Sequence, residues 1–344
     1  MIVDGFNINS DSECYVVAEI GHNHQGSLEK CKELFKTAKE CGVNAVKLQK
    51  RDNKSLYTRA LYDLPYNSEN AFGKTYGEHR EALEFGLDEY TELKRYAKEL
   101  NITFFATAFD FKSVDFLQKL NMPAYKVASG DLKNTPLLKY IAEVGKPVFL
   151  STGGGTYEDI QRAYDVIMPL NSRLCILQTT ASYPTDSKEM NLGVIPELVK
   201  RFPGAVIGLS DHFDGIVMSS IAYILGARVI EKHFTLHHTW KGTDHAFSLE
   251  PIGLRKMVRD LHRVREAMEN KKELLDSEKK PLYKMGKKLI ASRTMTVGEI
   301  LTASDIRIVS PNDGLPPYEF DNLMGKVLKC NIEEDESIKW ESLE

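Results

Sequence analysis

Short apolar segments rich in Val, Ile and Phe alternate along the chain with segments in which apolar residues recur every three or four positions. Eight of the short segments have the length and composition of buried strands. They begin at Tyr15, Ala45, Thr103, Ala124, Val148, Cys175, Ala205 and Arg228. Between most of them lies a helical pattern, as in LEKCKELFKTAKECG, which keeps Leu28, Cys31, Leu34, Phe35 and Ala38 on one face and ends at Gly42. The pattern therefore predicts a strand followed by a helix, repeated eight times.

This repeat predicts the α/β class and a (β/α)8 TIM barrel of about 250 residues or somewhat more. Strands that are buried on both faces form nearly continuous apolar runs, as these do. A doubly wound open sheet is the alternative, but no G-x-G-x-x-G motif follows the first strand.

The last part of the chain has a different pattern. After the charged stretch ENKKELLDSEKKP come short strand-like pieces, KKLIAS and IRIVS, separated by turn residues. We therefore predict a barrel over residues 1–280 and a small β-rich domain over residues 281–344. About 60 residues form a marginal core by themselves, so we expect the small domain to dock on another surface.

Composition narrows the class of partner. The 344 residues are 42% hydrophobic and 27% charged, which is enough to bury a large core. A formal charge of −4 and a pI of about 6.2 give no basic surface for nucleic acid or an anionic membrane, so a small-molecule partner is expected. No apolar run approaches the ~18 residues of a membrane span, and no signal peptide pattern opens the chain. With five cysteines and no C-x-x-C pair, we expect a reduced, cytoplasmic protein.

Polar residues gather where the predicted strands end, which is where barrel enzymes build their active sites. The residues concerned are Glu19, Lys47, Gln49, Thr107, Asp110, Lys126, Ser129, Asp131, Ser151, Thr152, Thr180, Ser182, Tyr183, Ser210, Asp211, His212, Glu231, Lys232 and His233. Alternate residues of a strand point the same way, so Lys47 and Gln49 can face the barrel axis together. We therefore predict one active site at this end of the barrel.

The residue types indicate the chemistry of that site. Two lysines, several hydroxyls and the glycines at 153–155, whose amides can point at an anion, suit a phosphate or a phosphorylated carboxylate. Lys126 or Lys232 could instead form a Schiff base with a carbonyl substrate. His212 and His233 end neighbouring strands and could share one cation with open positions for water or substrate. His237 lies four residues after His233, about 13 Å away in a strand, so spacing alone does not select the ligands.

The motifs AEIGHNHQG, KLQK, YKVASGD, LSTGG, SYP, GLSDH, EKHFT and KGTDH occur in this order and, as an ordered set, resemble the sialic acid synthase family. The resemblance spans nearly the whole chain. It implies a TIM barrel with a C-terminal antifreeze-like (SAF) domain, and condensation of phosphoenolpyruvate with an N-acylated mannosamine or its 6-phosphate. GKTYGEH and WKGTDH resemble the animal-type branch, which uses the 6-phosphate and yields the 9-phosphate of the product.

The resemblance also implies roles for individual residues. His212 and His233 match two ligands of a divalent metal ion, usually Mn²⁺, with Mg²⁺ or Co²⁺ as alternatives. The residues that match contacts to phosphoenolpyruvate are Lys47, Thr107, Lys126, Ser129, Ser151 and Ser210. Those that match groups around the sugar are Glu19, Gln49, Tyr183 and Asp244. We expect Glu19, Lys47, Lys126 and Asp244 to be catalytic, with one of the two carboxylates moving protons.

The remaining implications concern the second domain and an insertion. In the family, the SAF domain covers the barrel of the partner subunit in a homodimer, and Lys287 matches an arginine that many bacterial members place over the N-acyl group of the sugar. A 6-phosphate would need a further cationic group, for which we consider the insertion from Arg51 to Arg80, with Lys74, His79 and Arg80. His237 and His238 are expected to be loop residues, and His245 matches no family role.

Three alternatives remain open at this stage. The first is a phosphoenolpyruvate-dependent synthase of another nonulosonic acid, such as KDN 9-phosphate or legionaminic acid. The second is a Schiff-base aldolase, which borohydride trapping would reveal. The third is a non-catalytic sugar-binding protein, which would bind its ligand without releasing phosphate.

Overall fold

A computed structural model describes residues 1–268 and 271–344 of the chain. The chain divides into two compact units, Met1–Glu269 and Asn270–Glu344. The strands are β1 Ile2–Val3, β2 Phe6–Asn7, β3 Tyr15–Gly21, β4 Ala45–Lys50, β5 Thr103–Ala108, β6 Tyr125–Val127, β7 Val148–Ser151, β8 Leu174–Thr179, β9 Val206–Asp211, β10 Val229–His233, β11 Lys288–Ala291 and β12 Ile306–Val309. The helices are α1 Leu28–Glu40, α2 Asn53–Leu56, α3 Arg59–Tyr62, α4 Tyr76–Glu81, α5 Leu87–Glu99, α6 Phe111–Lys119, α7 Thr135–Glu143, α8 Tyr157–Ile167, α9 Val194–Arg201, α10 Val217–Ile224, α11 Pro251–Ala267, α12 Asp276–Met285 and α13 Phe320–Leu323.

Strands β3 to β10 form a closed parallel barrel in the order β10-β3-β4-β5-β6-β7-β8-β9. Each strand is followed by a helix, so the predicted (β/α)8 barrel is confirmed. The predicted boundary near Lys280 falls inside α12, in the second compact unit.

The inside of the barrel has an apolar floor. Its buried residues include Tyr15, Val17, Ala45, Phe105, Phe149, Cys175, Leu177 and Val229. The hairpin β1–β2 adds Val3 to this cluster, and the ring centroid of Phe6 lies 5.2 Å from that of Tyr15. Two residues farther along each strand the inward side chains are polar, as in Val17 followed by Glu19 and Val229 followed by Glu231. The period of two along each strand therefore places a polar layer directly above an apolar one.

The outward face of the barrel packs against the helices. Helix α1 begins at the N-cap Ser27, whose side chain accepts a hydrogen bond from the Lys30 amide. Its buried residues are Cys31, Leu34, Phe35 and Ala38, which the helical period had predicted. Burying each large apolar side chain contributes about 1.5–3 kcal/mol, so faces of this kind hold the helices to the sheet.

The insertion between β4 and α5 forms part of the wall at the C-terminal end of the barrel. Thr75 and Glu78 form a capping box at the start of α4, which fixes where this short helix begins. A Cβ atom at Gly77 would lie 2.4 Å from the ring of Tyr62, so only glycine lets α3 and α4 pack this closely. This packing sets the position of Arg80 on the last turn of α4.

The second unit has its own small core. Strands β11 and β12 pair antiparallel, and the buried cluster includes Leu289, Ala291, Leu301, Leu323 and Ile338. The predicted β-rich character of this region is confirmed.

Among the residues that the structure describes, no helix is both long and apolar enough to cross a membrane.

Candidate active site

Twelve of the thirteen predicted site residues line one open cavity of about 530 Å³ at the C-terminal ends of the barrel strands. They are Glu19, Lys47, Gln49, Thr107, Lys126, Ser129, Ser151, Tyr183, Ser210, His212, His233 and Asp244. The thirteenth, Lys287, belongs to the second unit, where it is exposed and its Nζ donates to Ser310 Oγ at 2.6 Å.

Two buried lysines at the centre of the cavity are paired with two buried glutamates. Lys47 Nζ lies 2.6 Å from Glu19 Oε2 and donates to Thr107 Oγ1 at 2.9 Å. Lys126 Nζ lies 2.7 Å from Glu231 Oε1, and Lys47 Nζ lies 3.7 Å from the same oxygen. The two ammonium groups are thus neighbours, each compensated by a carboxylate.

Glu231 also lies at this centre; it was named among the polar residues at the strand ends, but no individual role was predicted for it. Burial alone would raise the pKa of its carboxyl group, but the nearby ammonium groups of Lys126 and Lys47 bring the pKa down to about 2. Burial lowers the pKa of Lys126 in turn. The signal in the sequence was the spacing of two from His233, which puts both side chains on the inner face of β10.

Hydroxyl groups surround the two lysines. Ser210 Oγ donates to Glu231 Oε1 at 3.2 Å. Ser151 Oγ is buried and has no hydrogen-bond partner among the described residues, so it is available to a ligand. Ser129 Oγ accepts from the Gly153 amide at 3.0 Å.

The glycines at 153–155 do not line this cavity, so their predicted role as direct anion donors is not supported. Gly153 instead positions Ser129, because a Cβ atom at 153 would lie 2.8 Å from Ser129 Oγ. The Gly153 amide donates to Ser129 Oγ and the Gly155 amide donates to the Thr152 carbonyl, so these two amides are already used inside the protein.

The rings of His212 and His233 lie close together. The ring centroids are 5.4 Å apart. His212 Nδ1 contacts the carbonyl oxygen of Thr180 at 2.8 Å, and a carbonyl only accepts, so the proton is on Nδ1 and Nε2 keeps its lone pair. Burial, followed by the proximity of His233, lowers the pKa of His212 to about 3, so this imidazole is neutral.

His233 Nδ1 is buried and lacks a hydrogen-bond partner within the described part of the chain, and it lies 3.8 Å from Asp244 Oδ2. In residues 1–268 and 271–344, no group of three or more His, Cys, Asp or Glu side chains is arranged to hold a metal ion. The protein therefore offers two imidazoles, and further coordination positions would fall to water or substrate. Two imidazoles at neighbouring strand ends fit a divalent transition metal.

The other histidines of the EKHFTLHHTWKGTDH segment have different surroundings. His245 is buried, with Nδ1 2.7 Å from Thr235 Oγ1, and His238 Nε2 lies 2.6 Å from the carbonyl oxygen of Ser248. The residues that line the cavity do not include His237, His238 or His245. This placement agrees with the expectation that His237 and His238 are loop residues, whereas His245, which matched no family role, begins a short 3-10 helix.

A third group of side chains meets around Gly21. Gln49 Nε2 donates to Glu19 Oε1 at 2.7 Å. Gly21 has φ +53°, and a Cβ atom there would lie 3.2 Å from Gln49 Nε2 and 3.4 Å from Asp244 Oδ2. Glycine is required at this position because it both adopts the left-handed conformation and leaves room for the three polar side chains.

Two expectations about cationic groups need correction. Lys232 does not line the cavity; its Nζ lies 3.1 Å from Asp211 Oδ2 on the outer side of the barrel, so only Lys126 remains of the two Schiff-base candidates. In the insertion, Arg80 lines the cavity, whereas Lys74 is exposed and His79 is buried beside aromatic rings. Arg51 also lines the cavity, although the sequence had marked it only as the start of the insertion.

A closed (β/α)8 barrel that gathers buried lysines, carboxylates and two histidines at its C-terminal end has the architecture of a barrel enzyme. Comparison with known proteins shows the family. Residues 34–273 match the model of the NeuB family, and residues 288–344 match the model of the SAF domain. The chain therefore belongs to the NeuB family, which confirms the predicted resemblance to sialic acid synthases.

Named relatives agree with this family. The chain is 41% identical over 333 residues to the N-acetylneuraminate-9-phosphate synthases of Homo sapiens and Mus musculus, covering 96% of this chain and 93% of each relative. The crystal structure of N-acetylneuraminic acid (sialic acid) synthetase from Leptospira borgpetersenii serovar Hardjo-bovis, in complex with citrate, matches with a TM-score of 0.71. It is 30% identical and covers 82% of this chain and 94% of that chain. The predicted similarity to the animal-type branch is confirmed as well.

Proposed function

We propose that this enzyme condenses phosphoenolpyruvate with N-acetylmannosamine or its 6-phosphate, giving N-acetylneuraminate or its 9-phosphate and inorganic phosphate. The observation that carries the proposal is that one cavity holds the Lys47 and Lys126 ammonium groups beside the imidazoles of His212 and His233. The names of the human and mouse relatives support the same reaction.

Phosphoenolpyruvate would bind at the two lysines. Its phosphate and carboxylate carry negative charge that the ammonium groups of Lys47 and Lys126 can share, and charge-assisted hydrogen bonds of this kind are the strong ones. The unpartnered Ser151 hydroxyl and the positioned Ser129 hydroxyl would add donors. Because these groups are fixed before the substrate arrives, little reorganisation is needed on binding.

His212 and His233 would hold a divalent metal ion, with Mn²⁺ as the first choice and Mg²⁺ or Co²⁺ as alternatives. When bound, the ion would supply Lewis-acid polarisation of the sugar aldehyde. The hydrogen bond from His212 Nδ1 to the Thr180 carbonyl keeps the imidazole in the orientation that this role needs.

The reaction joins C3 of phosphoenolpyruvate to the aldehyde carbon of the open-chain sugar, whose oxygen takes up a proton. C2 becomes an oxocarbenium centre, and water adds there. The added water loses a proton, which balances the proton taken up by the sugar oxygen. The tetrahedral intermediate then breaks the bond between C2 and the ester oxygen and releases inorganic phosphate. Lys47 and Lys126 hold the phosphate and carboxylate throughout. Glu19, which contacts Gln49 and Lys47, would move these protons, and Asp244 is the alternative.

The test is release of inorganic phosphate from phosphoenolpyruvate in the presence of Mn²⁺. N-acetylmannosamine, its 6-phosphate and mannose 6-phosphate are offered in parallel, and each assay is repeated with a chelator. We expect release with an N-acetylated sugar and its loss with the chelator. Absence of release with every sugar would overturn the proposed reaction, and release that survives the chelator would overturn the role of the metal.

The arrangement of subunits and the location in the cell belong to the same proposal. We propose a cytoplasmic homodimer in which the SAF domain covers the barrel of the partner and Lys287 contacts the sugar. The match of residues 288–344 to the SAF model and the exposure of Lys287 support this arrangement.

A further inference from the structure

Two guanidinium groups contact opposite nitrogens of one histidine ring in the wall of the cavity. Arg51 Nη1 lies 3.2 Å from Nε2 of His22, and Arg80 Nη1 lies 3.3 Å from Nδ1. Both arginines line the cavity, and Arg51 is only 7% exposed. The wall therefore concentrates two permanent positive charges around a single imidazole.

His22 cannot accept a hydrogen bond from both arginines. Burial, followed by the charges of Arg51 and Arg80, holds the pKa of His22 well below its ordinary value, so the imidazole is neutral. A neutral imidazole has one N–H and one lone pair, so it accepts from one guanidinium and presents its own N–H to the other. One guanidinium N–H group therefore faces the N–H of His22 instead of an acceptor. An oxygen atom of a bound ligand would accept a hydrogen bond from this guanidinium.

The carboxylates of the described residues balance these charges only in part. Glu84 Oε1 lies 3.9 Å from Arg51 Nη1, but Glu84 Oε2 lies 3.0 Å from Lys50 Nζ, so one carboxylate serves two cations. Arg80 has no carboxylate within ion-pair distance among the described residues, although Asp244 faces the same cavity. The local excess of positive charge favours an anion.

The arginines are held in place before any ligand binds. The guanidinium of Arg51 lies 3.7 Å from the centroid of the Phe109 ring, and Tyr76 OH accepts from Arg80 Nε at 3.1 Å and Nη2 at 2.9 Å. Planar guanidinium groups held in this way match the geometry of the oxygens of a phosphate monoester.

Their position relative to the lysines indicates which ligand group they meet. Arg51 Nη2 donates to Gln49 Oε1 at 2.6 Å, Gln49 Nε2 donates to Glu19 Oε1 at 2.7 Å, and Glu19 Oε2 lies 2.6 Å from Lys47 Nζ. The arginines are therefore separated from the phosphoenolpyruvate site by two residues assigned to the sugar. A sugar between the two sites would turn its far end toward the arginines.

We propose that Arg51, His22 and Arg80 form a second anion site, which binds a phosphate monoester on C6 of the acceptor sugar. This inference rests on the proposed function and makes these residues the determinants of selectivity for the phosphorylated acceptor.

The test compares kcat/KM for N-acetylmannosamine 6-phosphate and for N-acetylmannosamine in the wild type and in Arg80→Gln. Losing a charge-assisted hydrogen bond weakens binding by roughly 10- to 100-fold, so we expect the ratio of the two kcat/KM values to fall by about that factor in Arg80→Gln. The loss should lie in KM for the phosphorylated sugar rather than in kcat. Arg51→Lys, which keeps the charge in the buried position but not the fork, should lower the ratio by a smaller factor.

Lys74→Gln is the matched control, because Lys74 is an exposed cation of the same insertion outside the cavity, and its ratio should equal that of the wild type. Equal losses for both sugars in Arg80→Gln, or no change in the ratio, would overturn the second anion site.

Calorimetry with N-acetylmannosamine 6-phosphate and no phosphoenolpyruvate separates this inference from the proposed reaction. If the wild type releases phosphate with none of the three sugars, the proposed function fails, but the binding of N-acetylmannosamine 6-phosphate to the second anion site can still be measured. Binding that Arg80→Gln weakens at least tenfold would support the site, and absence of binding to the wild type would overturn it.

Discussion

At the residue scale, the active site is a set of charges that compensate one another before substrate binds. Glu19 and Glu231 each lie within 3 Å of a lysine Nζ, and Glu231 Oε1 is near both lysines. Buried charges are costly unless paired, so the carboxylates offset the cost of burying the two lysines. This pairing explains how two buried lysines can lie side by side inside the folded barrel.

Glu19→Gln should reduce phosphate release by at least about 100-fold, because an amide cannot accept the proton that water loses. The variant should stay folded, since glutamine keeps the size of the side chain and a hydrogen-bonding group for Gln49. The check is the rate of phosphate release together with a thermal melt. A normal rate in a folded variant would remove Glu19 from the mechanism.

Lys126 should act as a paired ammonium group and not as a Schiff-base nucleophile, because its Nζ is bound to Glu231 Oε1 at 2.7 Å. Treatment with borohydride in the presence of both substrates should leave the mass of the protein unchanged. A covalent adduct on Lys126 would instead support the aldolase alternative.

At the element scale, neighbouring strands β9 and β10 carry the two candidate metal ligands, and a buried ion pair joins the strands just behind them. Asp211 and Lys232 are fully buried and lie on the outer face of the sheet. Asp211 accepts from the Phe213 amide at 2.9 Å, and the Lys232 ammonium donates to the Phe213 carbonyl. The pair therefore fixes the loop that follows His212.

Lys232→Met should lower the free energy of unfolding by about 3–5 kcal/mol, because it leaves the Asp211 carboxylate buried without its partner. The double variant Asp211→Asn with Lys232→Met should recover much of this loss, since no unpaired charge remains. Both are measured by denaturant unfolding.

Arg201→Gln serves as the control for that experiment, because Arg201 and Glu197 form an exposed pair whose loss should cost less than about 1 kcal/mol. If Lys232→Met were no more destabilising than this control, the buried pair would not hold the strand ends.

At the scale of the whole molecule, the barrel keeps several histidines neutral. Burial is the largest cause in each case, and it lowers the pKa of His24 and His212 to about 3 and that of His79 and His245 to about 4. A histidine whose folded pKa lies below its unfolded value near 6.5 binds fewer protons in the folded state. The contribution of these histidines to the free energy of unfolding is therefore fully present above about pH 6.5, and it decreases as the pH falls below that value.

Unfolding free energy should thus be lower at pH 5.5 than at pH 7.5, with each such histidine contributing up to about 1.4 kcal/mol at one pH unit below its unfolded pKa. His24→Gln should shrink the difference between the two pH values by about 1 kcal/mol. His262→Asn, which changes a half-exposed histidine, should leave the difference as in the wild type. Stability that is equal at both pH values would contradict the argument.

The proposed dimer can be tested by complementation between two inactive variants. Glu19→Gln disables the barrel, and Lys287→Glu should disable the contribution of the SAF domain. If each SAF domain serves the partner's barrel, mixed dimers contain one complete site, and random mixing should restore about a quarter of wild-type activity. Co-expression that restores no activity would show that each SAF domain acts on its own barrel.

The strand and helix repeat, the barrel and the residues at the strand ends could all be predicted from the amino-acid sequence, because these depend on local periodicity and on the rule that parallel strands end at one edge. The sequence also located the β-rich C-terminal region and, through ordered motifs, the family. Roles that depend on the direction in which a side chain points were harder to predict from the sequence. Lys232 and Glu231 are adjacent in sequence, yet one faces the helices and the other faces the cavity.

The way in which charges from distant segments combine became visible in the folded barrel and could not be predicted from sequence. Glu231 meets Lys47 and Lys126 from two other strands, and Arg51 meets Arg80 across the ring of His22. Neither cluster has a local pattern, because its members are brought together by closure of the barrel and by the packing of α3 on α4. Electrostatic compensation acts over a few ångströms of space and not over sequence separation, which is why it becomes visible only in the folded chain.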